Sequence, residues 1–259
     1  MCITFEHRTY TEHELICRVW DIEDIMDLMN RRVYYVAQDL RRQELNDLWV
    51  RQPDHRKSAS FGRNYGYYLG MEEIIRYYVA DHESKRQAIL DEYCAAYPEL
   101  TNTPDNLGIG FTTLGPTSTP VVELAQDGVT ARGIWYSLAQ ETTGRPNGKS
   151  EALWRGEKVA ADFIREDGLW KIWHLVITTD FTSPAGVPHE SEPFSYAPGC
   201  DPLQLEFGSP TLPVLTHDNR YHWSDDYPCV PQPYETYTPS QSYTPEGHPG
   251  LARKGGLLR

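Results

Sequence analysis

Two Asp-Gly dipeptides, Asp127-Gly128 and Asp167-Gly168, punctuate a stretch dense in β-branched and aromatic residues. Such a dipeptide supplies the positive-φ backbone that a tight hairpin demands, so the segments on either side of it are antiparallel neighbours. Residues 120–124, 129–138, 153–166 and 169–179 are accordingly predicted as strands of a meander. Ahead of them the periodicity is helical. Ile22, Ile25, Met26, Met29, Val33, Val36, Ala37 and Leu40 form one apolar stripe, which predicts a helix over 21–40. A further short helical turn is expected over 44–50. Residues 51–70, with Pro53 and several glycines, read as a loop, and 70–97 as a helix that Pro98 ends. Helices first and a meander second is the order of an α+β domain with its helices on one face of a sheet.

The last strand reads as apolar on both faces. Trp170, Ile172, His174 and Val176 alternate with Trp173, Leu175 and Ile177. Helices cover only the concave side, which the first set is expected to face. Trp173, Leu175 and Ile177 are then left for a second subunit, and a homo-dimer or homo-trimer is predicted. Beyond Ser183 the composition changes: about thirteen of the 19 prolines lie there, with Tyr196, Tyr221, Tyr227, Tyr234, Tyr237 and Tyr243 among them. Prolines interrupt regular elements, yet so many aromatic rings are unlike a disordered tail. The expected division is a domain over 1–182 and an extended arm over 183–259 that wraps the domain or a neighbouring subunit.

The formal net charge of −13 opposes a polyanion, so nucleic acid is not an expected partner. No apolar run approaches the roughly 18 residues that cross a bilayer, and the first residues do not read as a signal peptide. The expected setting is the cytoplasm, with no membrane partner. The five cysteines are odd in number and lack metal-ligand spacing, which argues against a disulfide framework and a zinc site. No Walker loop, dinucleotide-binding glycine pattern or His-x-x-x-His pair is present, so no cofactor is expected and ordinary side chains must supply any acid and base.

Several segments resemble the NTF2-like superfamily and its SnoaL-like branch. They are Ile25 to Leu40 with Tyr34, Tyr35 and Asp39, then Thr119-Pro120-Val121-Val122-Glu123, the Asp127-to-Trp135 hairpin arm, and Asp162 to Leu175 with its Gly-Leu-Trp-Lys-Ile run. Together they span roughly 20–180. The resemblance implies a cone-shaped α+β barrel with helices in the concave face of a curled, mainly antiparallel sheet. Pro231 to Tyr237 looks like the arm of a longer bacterial subgroup. The superfamily includes dehydratases, isomerases, cyclases, cofactor-free lyases of diaryl compounds and pure binding modules, so the fold is implied more firmly than the reaction. Its better-known dehydratases pair an aspartate with a histidine just ahead of the Thr-Pro strand. Phe111 to Ser118 carries no histidine here, so that dyad does not transfer.

The catalytic candidates are five. Asp39 sits at the edge of the apolar stripe, where partial desolvation would suit a general base, with Arg32 on the same side to hold it ionised. Tyr34 and Tyr35 offer phenols: the resemblance favours Tyr34, whereas the helical wheel places Tyr35 beside Asp39. His174 is expected in the concavity as a neutral proton carrier. Lys158, on the strand face of Asp162, either binds an oxyanion or pairs with that aspartate. Tyr68, Trp135 and Trp154 are expected to wall an apolar pocket for an aromatic or polycyclic small molecule. Two functions are expected in turn: a cofactor-independent lyase removing water or a one-carbon fragment from a hydroxylated aromatic substrate, or a non-catalytic binding or assembly module.

Overall fold

The computed structural model of the chain describes residues 10–148, 150–185, 209–213 and 227–248. Helix α1 (Glu12–Ala37) starts earlier than its apolar stripe predicts, because Thr11 and Glu14 form a reciprocal capping box. It also ends earlier. Asp39 takes a left-handed backbone, φ 60°, while its N–H bonds Val36 and that of Leu40 bonds Tyr35. This is a Schellman closure in which aspartate fills the place usually held by glycine. Helices α2 (Arg41–Leu48) and α3 (Pro53–Ser58) follow.

The predicted loop over 51–70 is corrected. Besides α3 it holds a buried hairpin, β1 (Ser60–Arg63) and β2 (Gly66–Leu69). Glycine is needed at Gly62, where a Cβ would strike Tyr67 and Val176, and at Gly66 with φ 153°. Those glycines dilute the alternation that marks a strand. The helix predicted over 70–97 is three pieces: α4 (Met71–Ile75), a π turn (Arg76–Asp81) and α5 (His82–Ala96).

Five further strands follow: β3 (Phe111–Leu114), β4 (Thr117–Leu124), β5 (Thr130–Thr143), β6 (Glu151–Glu166) and β7 (Leu169–Pro184). The short β8 (Leu212–Pro213) pairs with β2. The order is β3-β5-β6-β7-β1-β2-β8, with β4 also on β5. All pairs are antiparallel except β1 with β7. The β6–β7 turn is the expected tight one, Asp167 and Gly168 both at positive φ. The result is the expected α+β architecture, a curled and unclosed sheet whose inner face holds the helices.

The face assignment of β7 is reversed beyond Ile172. Asp162 pairs with His174 but Phe163 pairs with Ile172, so Trp173 is an extra residue, a β-bulge. One inserted residue exchanges the two faces of everything after it. Leu175 and Ile177 therefore enter the main core with Trp170 and Ile172. His174 and Val176 face outward, and Val176 joins a second cluster with Tyr67, Ile134, Ala160, Tyr227 and Tyr243. Leu175 and Ile177 are thus not available to a second subunit.

Residues 227–248 lie over this outer face. Tyr227, Tyr234 and Tyr243 are buried, and Tyr227 bonds Tyr67 through their hydroxyls at 2.7 Å. The backbone carbonyls of Tyr234 and Glu235 accept from Gln126 and Asp127 in the β4–β5 turn. Tyr196 and Tyr221 lie outside the described residues.

The backbone N–H of Tyr243 donates to Asp162 at 2.8 Å, and the Arg132 guanidinium lies 3.7 Å from the same carboxylate. Burial pushes the Asp162 carboxyl up to about 7, against the pull of the Tyr243 N–H and Arg132. The folded state therefore holds this proton more tightly than the unfolded chain, so the stability it contributes is full below the ordinary carboxylate range and is lost as pH rises toward 7. In denaturant titrations across that window, Asp162→Asn is expected to remove a slope worth about one proton. An unchanged slope would mean that Asp162 is ionised throughout.

Candidate active site

Inside the curl, the inner face of β5, β6 and β7 meets α1 and the π turn around a cavity of about 100 Å³. The π turn sets its chemistry. A wider turn places residues four and five apart on one side, so Tyr77, Tyr78 and His82 all face the cavity. Opposite them stand Arg63 of β1, Glu141 of β5, and Arg155 and Glu157 of β6, with Arg32 and Arg41 from the helices.

Among the described residues four guanidiniums and two carboxylates stand in the lining, and Glu44 and Asp39 pair with Arg32 and Arg41 from behind it. Arg155 pairs with Glu141 at 2.9 Å and Arg63 approaches Glu157 at 3.9 Å. Burial raises the Glu141 carboxyl, but Arg155, Lys85, Arg41 and Arg63 outweigh it and hold the group below its ordinary range. Burial and the charges of Arg41, Arg86, Lys85 and Arg63 keep the His82 imidazole well below its usual value, hence neutral at pH 7. Behind the lining, the fully buried Glu44 accepts from Tyr78 at 2.6 Å and from Trp49 at 3.3 Å, and pairs with Arg32 at 3.1 Å. Burial, then the Glu44 charge, pushes the Tyr78 phenol up. This network fixes one wall of the cavity without loose side chains.

The residues expected to carry chemistry are dispersed. Tyr34 is 69% exposed on the outer side of α1. Tyr35 donates to Asp47 at 2.7 Å and ties α1 to α2. Neither lines the cavity. Asp39 comes nearest, pairing with Arg86 at 2.9 Å and Arg41 at 3.3 Å, and it shares a separate surface recess with His82. Arg32 is not its partner. Asp39 thus pairs with an arginine of the lining and is not itself part of it.

His174 lies on the outer face, its Nδ1 at 3.1 Å from the Ser60 hydroxyl, and burial lowers its imidazole to about 3. The bulge at Trp173 is what removes it from the concavity. Lys158 shares the outer face with Asp162 as its spacing requires, but its carboxylate partner is Asp180 of β7, at 3.8 Å. Tyr68 is fully buried and stacks on Tyr77 at 3.9 Å between ring centres, one layer behind the wall. Trp135 is core, set edge-on against Phe163 and closed over Gly133. Trp154 is 38% exposed and not part of the lining. Tyr68, Trp135 and Trp154 are therefore not in the lining, whose rings are instead Phe61, Tyr77, Tyr78 and His82, set among guanidiniums.

Tyr78, His82 and Arg86 recur every four residues, a polar stripe on a helix whose other side is apolar. That stripe was the readable signal for His82. Among the described residues no group of side chains is arranged to hold a metal ion.

The SnoaL-like domain model matches residues 18–176, more than half the chain. The chain belongs to the SnoaL-like family. No curated protein matches it. Among solved structures it is similar to a hexachlorocyclohexane dehydrochlorinase, LinA Type2, at 16% identity and TM-score 0.44, over 70% of this chain and 95% of that one. It is similar to the LinA-type3 dehydrochlorinase of Novosphingobium barchaimii LL02 at 15% identity and TM-score 0.43, over 66% and 94%. An NTF2-like protein with a cystatin-like fold from Novosphingobium aromaticivorans shares 14% identity at TM-score 0.39, over 65% and 90%. In this SnoaL-like domain the imidazole of the concave cavity comes from the start of α5 and not from the segment ahead of β4. No helix among its described residues is long and apolar enough to cross a membrane.

Proposed function

We propose that the chain is a cofactor-independent lyase whose concave cavity takes the reacting end of a hydroxylated, one-ring substrate bearing an anionic or developing anionic oxygen. The observation that carries this reading is the convergence of a neutral imidazole, His82, with the guanidiniums of Arg32, Arg41, Arg63 and Arg155. A cavity of about 100 Å³ seats a single ring, which narrows the substrate from the polycyclic class.

In the proposed step His82 removes a proton from the carbon between a carbonyl and the carbon that bears the hydroxyl group. The electron pair passes to the oxygen held by Arg63 and Arg155, as an oxyanion hole would hold it. The pair then returns to expel the hydroxyl group, which takes the proton from His82 and leaves as water. In the one-carbon variant His82 takes the proton of a hydroxymethyl oxygen, the C–C bond breaks to release formaldehyde, its electron pair passes to the same held oxygen, and the proton returns from His82 to carbon. Both balances close without a redox partner. A bound anion also offsets the field of the arginines and raises the basicity of His82 when substrate is present.

Dialysed protein incubated with single-ring β-hydroxy ketones and hydroxymethyl ketones is the test. Formation of the dehydrated product or of formaldehyde is expected, and Arg63→Gln is expected to lower kcat about 10²-fold, as loss of an oxyanion donor does. Tight binding of the same compounds without any turnover would favour the binding-module reading.

Self-association is proposed on a different surface from the β7 face. Leu15, Ile16, Val19 and Trp20 form a stripe on α1 that is 49–67% exposed. Sedimentation is expected to show a dimer or trimer that Trp20→Glu dissolves to monomers. A monomeric wild type at micromolar concentration would rule this interface out.

A further inference from the structure

A second cavity lies on the opposite face of the sheet, beneath the arm. It measures about 540 Å³, against about 100 Å³ for the concave one. Strand β1 separates the two, since Ser60 faces the outer cavity while Phe61 and Arg63 face the inner. Its walls are Trp173 and His174 of β7, Leu69 of β2, Leu212 of β8, and Tyr237 and Pro245 of the arm.

The rings are organised. Trp173 stacks on His174 at 4.5 Å and meets Tyr237 at 4.6 Å between centres. The Trp173 indole N–H donates to Ser58 at 2.9 Å, which fixes the plane of the ring. Polar atoms cluster at one place: Ser60 Oγ lies 3.1 Å from His174 Nδ1, and the Tyr237 hydroxyl lies 3.5 Å from His174 Nε2. Among the described residues no arginine lines this cavity, and its charged members are Lys57 and Glu246, one of each sign.

We infer that this outer cavity is a binding site for a neutral, planar aromatic alcohol of about two fused rings, its rings against Trp173 and Tyr237 and its hydroxyl at the Ser60–His174–Tyr237 cluster. The volume is that of a small-molecule site, and two flat rings with aliphatic walls suit a flat apolar ligand. Burial keeps His174 neutral, so it exchanges a hydrogen bond with a hydroxyl group without charging. A carboxylate meets none of the described guanidiniums here and must desolvate beside Glu246. This site is separate from the proposed reaction in the concave cavity and does not depend on it.

The test is calorimetric titration of the full chain with 2-naphthol, and with 2-naphthoate as the charged counterpart. Binding of 2-naphthol at one site is expected, weakened at least about tenfold by Leu69→Trp, which fills the cavity, and left within about twofold by Arg63→Gln, which alters only the inner one. The naphthoate is expected to bind at least about tenfold more weakly than 2-naphthol, because its carboxylate must desolvate in this cavity. Should Leu69→Trp fail to fold, the indole N–H resonance of Trp173, assigned by its loss in Trp173→Phe, is expected to move on addition of 2-naphthol to the wild type. Absence of naphthol binding, an unmoved Trp173 resonance, or naphthol binding lost in Arg63→Gln but kept in Leu69→Trp would each overturn the inference.

Discussion

Replacing His82 with alanine is expected to lower kcat for elimination by 10²- to 10⁴-fold, the usual effect of deleting a general base, with the fold retained. The side chain meets the edges of Tyr77 and Tyr78, each about 6.2 Å away between ring centres, so its loss leaves a small void beside an existing cavity. Its titration gives the reaction a recognisable pH profile. Because burial and the neighbouring arginines hold the imidazole low, the base stays unprotonated as pH falls through 6.5. The acid limb of kcat/KM is therefore expected below 6.5. The limb of kcat, which reports the substrate complex, is expected at higher pH, since a bound anion relieves part of that field. Equal limbs in the two parameters, or full activity in His82→Ala, would assign the proton to another group.

The second large effect is on stability. Ending the chain before Tyr227 is expected to lower the melting temperature by on the order of 10 °C or more, or to make the protein aggregate. The truncation uncovers Tyr67, Ile134, Ala160 and Val176, which the arm rings now cover. It also strips Asp162 of its Tyr243 N–H partner, leaving Arg132 at 3.7 Å. Three buried tyrosines, each removing about 150–250 Å² from water, make this a large contact for a short segment. Thermal scanning with light scattering measures it. A truncated chain with unchanged melting temperature and solubility would show that the arm does not hold the sheet.

What could be read from the sequence divides along the range of the interactions involved. Asp167-Gly168 needs only its own two residues at positive φ to form a turn, so β6 and β7 were legible from the turn outward. The helical stripe of Ile25 to Val36 was legible for the same reason. Three features depend on distant partners and were not. The β1–β2 hairpin hides behind Gly62 and Gly66, which are there because Tyr67 and Pro210 approach the backbone. The bulge at Trp173 is decided by pairing with β6, and it alone moved His174 out of the concavity and Leu175 into it. Asp39 was singled out for its place at a helix edge, but its left-handed backbone and two arginine partners arise from the α1–α2 closure and from α5.

An aromatic wall is present, but other rings supply it: Tyr68 and Trp135 fill the core, while Phe61, Tyr77 and Tyr78 line the cavity beside Arg32, Arg63 and Arg155, whose nearby carboxylates let them tolerate burial.

The account rests on an arginine-lined concave cavity in which a bound anion acts on His82, and calorimetry with benzoate at mildly acid pH examines both halves together. Titrations in buffers of different ionisation enthalpy separate binding from proton uptake. The prediction is that benzoate binds with net uptake of protons, that His82→Ala abolishes the uptake, and that Arg63→Gln weakens binding by about tenfold, the effect of losing one buried charge-assisted contact. Benzoate binding that takes up no protons and is indifferent to Arg63→Gln, or no binding at all, would contradict it.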